Sequence, residues 1–172
     1  MKTLLLLRHA KSSRDDQSLD DFDRPLAPRG EEAAVRMGRH LRDKIGQPDL
    51  VLCSAALRTR QTLDRVVEAF GSDVPARTLK GLYLAEPGRL LAAIRRVPDD
   101  VRCLLVIAHN PGLGALATQL SGSGDPARLR RMAEKFPTGA LADIRLDIAR
   151  WADVAPNHGR LRDFVVPRDL KS

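Results

Sequence analysis

Two histidines and two arginines occupy positions where chemistry is expected of them. His9 follows Arg8 at the end of the apolar run Thr3–Leu7, and His109 follows the longer run Val101–Ala108. Arg58 comes shortly after Ser54, at the end of a third apolar run, Leu50–Cys53. Ligands of open α/β sheets bind beyond the carboxyl ends of the strands, so parallel neighbouring strands would bring these four side chains to one rim. Two guanidiniums and two imidazoles suit a tetrahedral dianion, because the arginine fork binds phosphate oxygens in pairs. A neutral imidazole keeps a free nitrogen lone pair and can attack phosphorus. Nearby arginine charge disfavours the imidazolium and helps keep it neutral. Asn110-Pro111-Gly112 opens a helix straight after His109, adding free N–H groups and a positive dipole end to the same rim. Ser12 and Asn110 are counted as further phosphate contacts; Ser12 and Ser13 otherwise shape the loop after His9.

The elements that must position these residues follow from periodicity. Thr3–Leu7 and Leu50–Cys53 read as buried strands, and Val101–Ala108 as the central one. Pro28-Arg29-Gly30 opens a helix with Ala34, Met37, Leu41 and Ile45 on one face, ending near Gly46. Ser54 is expected to cap the next helix, whose apolar face is Leu63, Val66, Val67 and Phe70, with Gly71 as its stop. A weaker strand is placed at Ala76–Leu79. A helix starts at Pro87-Gly88 with Leu90, Leu91, Ile94 and Val97. The helix after Asn110 carries Leu113, Leu116, Ala117 and Leu120. Ser121-Gly-Ser-Gly reads as a loop, and Leu129, Met132, Ala133 and Phe136 as a short helix ended by Pro137. Ala142, Ile144, Leu146 and Ile148 alternate with Asp143, Arg145 and Asp147, which predicts a strand buried on one face, antiparallel to its neighbour or at an edge. A last weak strand is expected around Leu161–Val166. Strands alternating with helices predict an α/β three-layer sandwich: a mostly parallel central sheet with helices on both faces.

Composition narrows the partners. The 172 residues suffice for a single domain, 1–172, and 43% hydrophobic with 30% charged residues excludes a disordered or fibrous chain. A formal net charge of +7 points to anionic partners. Aromatics make up only 3% and are scattered, so a base-stacking platform is excluded and nucleic acid is not an expected partner. Cys53 and Cys103 sit in or beside apolar runs outside any metal or redox spacing, which reads as buried reduced thiols. The first apolar run is too short for a signal peptide and no run approaches a membrane span, so a cytoplasmic location without membrane contact is expected.

At the rim residues the chain resembles the histidine phosphatase superfamily, also called phosphoglycerate mutase-like. The Arg-His-Gly signature after the first strand reads Leu7-Arg8-His9-Ala10-Lys11-Ser12. The block Ser-x-x-x-Arg-Thr-x-Gln-Thr reads Ser54 to Thr62, and the third reads Ala108-His109-Asn110-Pro111-Gly112. Asp23-Arg24-Pro25-Leu26 followed by Arg29-Gly30 matches the small branch of the family. The resemblance implies the phosphoglycerate mutase-like fold, His9 as a phosphorylated nucleophile, and Arg8, Arg58 and His109 completing a phosphate pocket. It implies a two-step reaction through a phosphohistidine enzyme, with no metal or other cofactor. Only a short segment separates Leu79 from Cys103, which leaves no room for the long substrate lid of the larger members. The chain is similar to the compact SixA type, whose family activity is dephosphorylation of phosphohistidine on proteins of the histidine-phosphotransfer kind.

Three positions depart from the family pattern. Ala10 replaces the signature glycine. Asp15 stands where many members place a phosphate-binding asparagine and is expected to point away or pair with Arg14. Larger members carry a general acid in a Leu-x-Glu pattern, but Leu82-Tyr83-Leu84 puts leucine there, and Glu86, two residues on, is the one candidate acid. Oxygen esters need a proton donor for the leaving group, whereas a phosphohistidine imidazole leaves with a proton it already carries. A phosphatase for a small phosphorylated metabolite is the alternative, and a phosphoprotein-binding module without turnover the second. Elsewhere, His40 and His158 are expected at the surface, Thr59 in a structural role at a helix start, and Trp151 in packing. Tyr83 is either a pocket wall or a core plug. The cluster Arg128, Arg130, Arg131 and Lys135 reads as a solvated face or as a docking site for an acidic protein.

Overall fold

In the computed structural model, which describes residues 1–171, the side-chain alternation of the first strand already separates two layers. Leu4 and Leu6 of β1 (Lys2–Arg8) enter one apolar cluster, Leu5 and Leu7 the other, and all four are at most 1% exposed. A strand covered on both faces has no polar side to show, which is why its sequence is continuously apolar. The chain continues through α1 (Pro28–Lys44), β2 (Leu50–Ser54), α2 (Leu57–Phe70), β3 (Ala76–Leu79), α3 (Pro87–Arg95), β4 (Cys103–Ala108), α4 (Gly112–Leu120), β5 (Ser121–Gly124), α5 (Pro126–Glu134), β6 (Leu141–Leu146) and β7 (Gly159–Val165).

The seven strands form one sheet in the order β3-β2-β4-β1-β6-β7-β5. Only β6 runs against its neighbours. Met37 and Leu41 of α1 and Val66 of α2 cover one face; Leu90, Leu91 and Ile94 of α3, Leu113 and Leu116 of α4, and Met132 of α5 cover the other. This is the three-layer α/β arrangement with a mostly parallel sheet that the periodicity predicts.

Several local expectations need correction. Ser121–Gly124 is an edge strand parallel to β7 rather than a loop, because pairing of backbone groups requires no apolar side chains. The central strand starts at Cys103, not Val101; the Val101 carbonyl instead accepts from the Trp151 indole N–H at 2.9 Å and from the Lys2 ammonium at 3.1 Å. Strand β6 is antiparallel as expected but lies inside the sheet, and Asp143, read as a solvent-facing position, is only 3% exposed. Arg162 of β7 covers it with a 2.9 Å ion pair. Val97 and Phe136 fall just outside their helices while remaining buried. Ser54 does not cap α2, whose N-cap is Ala56. Trp151 is fully buried, His158 exposed and His40 half-buried. Burial pushes the thiols of Cys53 and Cys103 up to about 12, so both stay protonated.

Two glycines permit close approaches that shape the rim. A Cβ at Gly30 would lie 2.1 Å from the Lys11 carbonyl oxygen, so the start of α1 rests on the loop after β1. A Cβ at Gly112 would lie 1.9 Å from the Ala85 carbonyl oxygen, so the start of α4 is pressed against the Leu84–Ala85 turn. Gly112→Ala forces backbone apart and is expected to destabilise the protein by about 1–3 kcal/mol, read as a lower midpoint in urea unfolding. An unchanged midpoint would contradict this tight contact.

Candidate active site

Adjacent parallel strands end together. Strand β4 lies between β2 and β1, and Arg8 of β1 pairs opposite Ala108 of β4. His9 and His109 therefore leave neighbouring strands at the same level, and their ring centroids are 5.3 Å apart. Arg58 sits in the first turn of α2, just beyond the end of β2. The turn before β6 closes over the end of β1: Gly139 N–H donates to the carbonyls of Arg8 and His9 at 3.1 and 2.9 Å. Arg8, His9, Arg58 and His109 line a cleft of about 220 Å³ together with Lys11, Ser12, Arg14, Arg24, Leu84, Asn110 and Thr138.

The His9 ring is held in a defined state. Its Nδ1 lies 2.8 Å from the Ala10 carbonyl oxygen, which can only accept. Nδ1 thus carries the hydrogen and Nε2 keeps the lone pair. Burial, with the charges of Arg58, Arg8 and Arg24, pushes His9 down to about 4. Burial, then His9 and Arg58, pushes His109 down to about 3. Both rings are neutral at pH 7, and desolvation contributes more than the arginine charge to which the sequence reading assigned it.

His109 Nε2 is 2.7 Å from the Ser54 hydroxyl. That hydroxyl accepts from the Ala56 N–H at 3.4 Å and has its own hydrogen to donate to Nε2. Nδ1 of His109 is then the protonated nitrogen; it is buried without a partner. Ser54 was placed by sequence as a helix cap; its position at the end of β2, beside β4, was the available sign of a role at the rim.

Arg58 is only 3% exposed and is oriented from outside the cleft. Its Nη1 donates to the Asp21 main-chain carbonyl at 2.6 Å and its Nη2 to Asp21 Oδ2 at 2.9 Å. Asp21 also accepts from Arg24 Nε at 3.1 Å and from the Tyr83 hydroxyl. Partial burial pushes the Asp21 carboxyl up, but the hydrogen bonds from Tyr83 and Arg58 outweigh it and hold the group well below the usual carboxylate range. Asp21 is therefore ionised at neutral pH. Two of the five guanidinium hydrogens of Arg58 are used on Asp21, and its Nε, buried without a partner, is among those left. Tyr83 is neither cleft wall nor core plug: its ring meets Phe22 and His109 edge-on and lies beside the Arg58 guanidinium. Sequence reasoning missed Asp21, since an aspartate in a Ser/Asp-rich loop has no spacing to mark it.

The other expected residues separate. Ser12 lines the cleft, but its hydroxyl accepts from Arg24 Nη1 at 2.8 Å. Ser13 shapes the loop, accepting from the Asp15 N–H at 3.2 Å. Arg8 lines the cleft with Nη1 donating to the Phe136 carbonyl at 3.0 Å, and its Nε is free. The Asn110 side chain lines the cleft and also supports the local structure, donating to the same carbonyl at 2.8 Å and accepting from Gly114 N–H at 3.0 Å. Thr62 ties the turn together, accepting from Ala10 N–H at 3.0 Å and donating to the Arg58 carbonyl at 2.7 Å. Thr59 is structural, bonded to carbonyls at the start of α2. Asp15 is exposed, does not line the cleft, and makes no ion pair with Arg14 among the described residues. Glu86 is an exposed N-cap of α3 and does not line the cleft; Leu84, two residues earlier, does. Among the described residues no group of three or more His, Cys, Asp or Glu side chains is placed to hold a metal ion, and no helix is long and apolar enough to cross a membrane.

Residues 4–86 match the family model of the histidine phosphatase superfamily, branch 1. An uncharacterised Mycobacterium tuberculosis protein, Rv1276c, is 46% identical over 164 residues, covering 94% of this chain and 100% of its own. This chain belongs to the histidine phosphatase superfamily. Within it, the phosphohistidine phosphatase SixA of Escherichia coli is 28% identical over 146 residues, 84% of this chain and 85% of its own. Among solved structures, a SixA from Nakamurella multipartitia superposes with a TM-score of 0.84 at 32% identity, covering 96% of each chain. A SixA solved with tungstate superposes with a TM-score of 0.78 at 25% identity, covering 97% of this chain and 98% of its own. The phosphoglycerate mutase-like fold and the SixA type named from the motifs therefore hold.

Replacing Asp21 leaves Arg58 without its anchor. Asp21→Asn is expected to lower kcat/KM by about tenfold, as loss of one orienting contact does, with Asp21→Glu recovering part of it. Unchanged kinetics in Asp21→Asn would show that Arg58 needs no such support.

Proposed function

We propose that this histidine phosphatase hydrolyses phosphohistidine on proteins, with His9 as nucleophile and a phosphohistidine enzyme as intermediate. The observation that carries this reading is the chemistry of the cleft wall. Five cationic side chains, two neutral imidazoles and no carboxylate line it, and Leu84 stands where the family pattern expects an acid. Asp21 is ionised and Glu86 does not line the cleft, so no carboxylic acid among the cleft-lining residues is placed to protonate a departing alkoxide.

A P–N bond removes that need. His9 Nε2 attacks phosphorus, forming a new N–P bond while the bond to the substrate imidazole breaks. That imidazole carries a hydrogen on its other nitrogen and departs neutral. Water then attacks the phosphoryl group, the His9 N–P bond breaks, and the ring returns neutral because Nδ1 has kept its hydrogen against the Ala10 carbonyl. The water proton leaves with inorganic phosphate. The free N–H groups of Arg8 and Arg58 and the Nδ1–H of His109 suit the charge on the transferring oxygens. Ser12 contributes by positioning Arg24, and Asn110 by fixing the start of α4.

Other observations support a protein-borne substrate. Leu84 is 52% exposed with φ of 49°, so a strained backbone presents an apolar side chain at the cleft. Such a surface fits a protein better than a small polar metabolite. The name of the E. coli relative and the tungstate held by a solved SixA, a tetrahedral oxyanion, agree with this reading.

The test compares phosphate release from a histidine-phosphorylated carrier protein and from p-nitrophenyl phosphate, in chelator, with His9→Ala as control. Fast release from the carrier, slow release from the ester and none with His9→Ala are expected. The reverse preference would mean a metabolite phosphatase; release from neither, with the protein folded, would mean a binding module. The nucleophile acts only when neutral, so kcat/KM should fall as pH drops through about 4. A fall centred on the ordinary histidine value of 6.5 would show that burial does not control His9.

A further inference from the structure

A second concavity lies beside the catalytic cleft. It encloses about 600 Å³ between α1, the end of α5 and the segment after β7. Lys11 and Thr138 line both spaces, so the two meet at the loop after His9. Its walls carry six cations, Lys11, Arg29, Arg36, Arg131, Lys135 and Arg168, against two carboxylates, Glu32 and Glu134. Of the six, only Arg131 has an ion-pair partner among the described residues, Asp169. The Nε of Arg36 is buried with no hydrogen-bond partner. The remaining wall is apolar: Ala33, Pro137, Phe164, Val166 and Pro167.

Like charges gathered in a concave space repel one another, and apolar walls focus their field on whatever enters. An anionic occupant relieves that repulsion, and the apolar walls call for an occupant with apolar side chains between its charges. We propose that this groove docks an acidic, partly apolar segment of the phosphorylated protein while its phosphohistidine sits in the cleft. The proposal rests on the reading of the substrate as a protein. Nucleic acid fits less well, because Phe164, the one aromatic in the groove, is only 3% exposed and offers no face for stacking bases. A flat lipid surface does not enter a concave groove.

The experiment combines Arg36→Glu, Lys135→Glu and Arg168→Glu, none of which lines the cleft. Kinetics are measured with a histidine-phosphorylated carrier protein and with phosphoramidate, a P–N substrate too small to reach the groove. For the carrier, KM should rise about tenfold with kcat unchanged, and its salt dependence should flatten. Phosphoramidate turnover should not change, which also reports that the variant is folded. An unchanged carrier KM, or an equal loss on phosphoramidate, overturns the proposal. Failure of the phosphohistidine reading looks different: the parent enzyme then leaves the carrier phosphorylated but acts on p-nitrophenyl phosphate. The groove is in that case judged by fluorescence anisotropy of a short labelled peptide of glutamate and leucine. Weaker binding to the triple variant supports an acidic docking segment; equal binding, or tighter binding of an RNA oligomer or anionic vesicles to the parent, overturns it.

Discussion

Parallel pairing of β1 with β4, in the register that sets Arg8 opposite Ala108, is the constraint on which the site depends. A shift by one residue would turn every side chain of β1 to the other face. Leu4 and Leu6 would then leave the layer they fill, and His9 would no longer meet His109 at the same height. Each strand is apolar on both faces, so the register is held by burial on two sides. His9 and His109 follow immediately after Arg8 and Ala108, the last paired residues of β1 and β4, where the backbone is still fixed by the sheet but the side chain first reaches the cleft.

The second constraint is electrostatic. Burial makes the charged form of each histidine unfavourable, and the surrounding guanidiniums act in the same direction. The arginines in turn require an anion, and Asp21 supplies one to Arg58 from outside the cleft. That carboxylate sets the direction of the guanidinium without competing for the inner face. A cleft with fixed positive charge, neutral imidazoles and oriented donors is prepared for a dianion before one arrives, so little reorganisation remains for the reaction.

The absence of an acid among the cleft-lining residues and the presence of a basic groove beside it point toward the same kind of substrate. An imidazole that already carries a hydrogen on its other nitrogen leaves without a proton from the cleft, and a protein that bears it brings further surface. Leu84 and the groove lie where that surface would rest. The compact chain, with only α3 between β3 and β4, leaves the approach open.

Much of this was legible in the residues themselves. Continuous apolar runs ending in Arg8-His9 and in His109 marked the strands, the parallel sheet and two of the reactive groups, because burial on both faces writes an unbroken hydrophobic signal. The ordered blocks around His9, Arg58 and His109 were enough to name the family. What the sequence could not show was decided by contacts between distant segments. Asp21 reaches Arg58 across 37 positions, Ser54 reaches His109 across 55, and the Asn110 amide reaches the Phe136 carbonyl across 26. The edge strand Ser121–Gly124 and the buried Asp143 escaped for the same reason: backbone pairing and an ion pair across strands leave no periodic trace in either partner. Local pattern records which face of an element is buried. Only the assembled sheet decides which polar groups meet there.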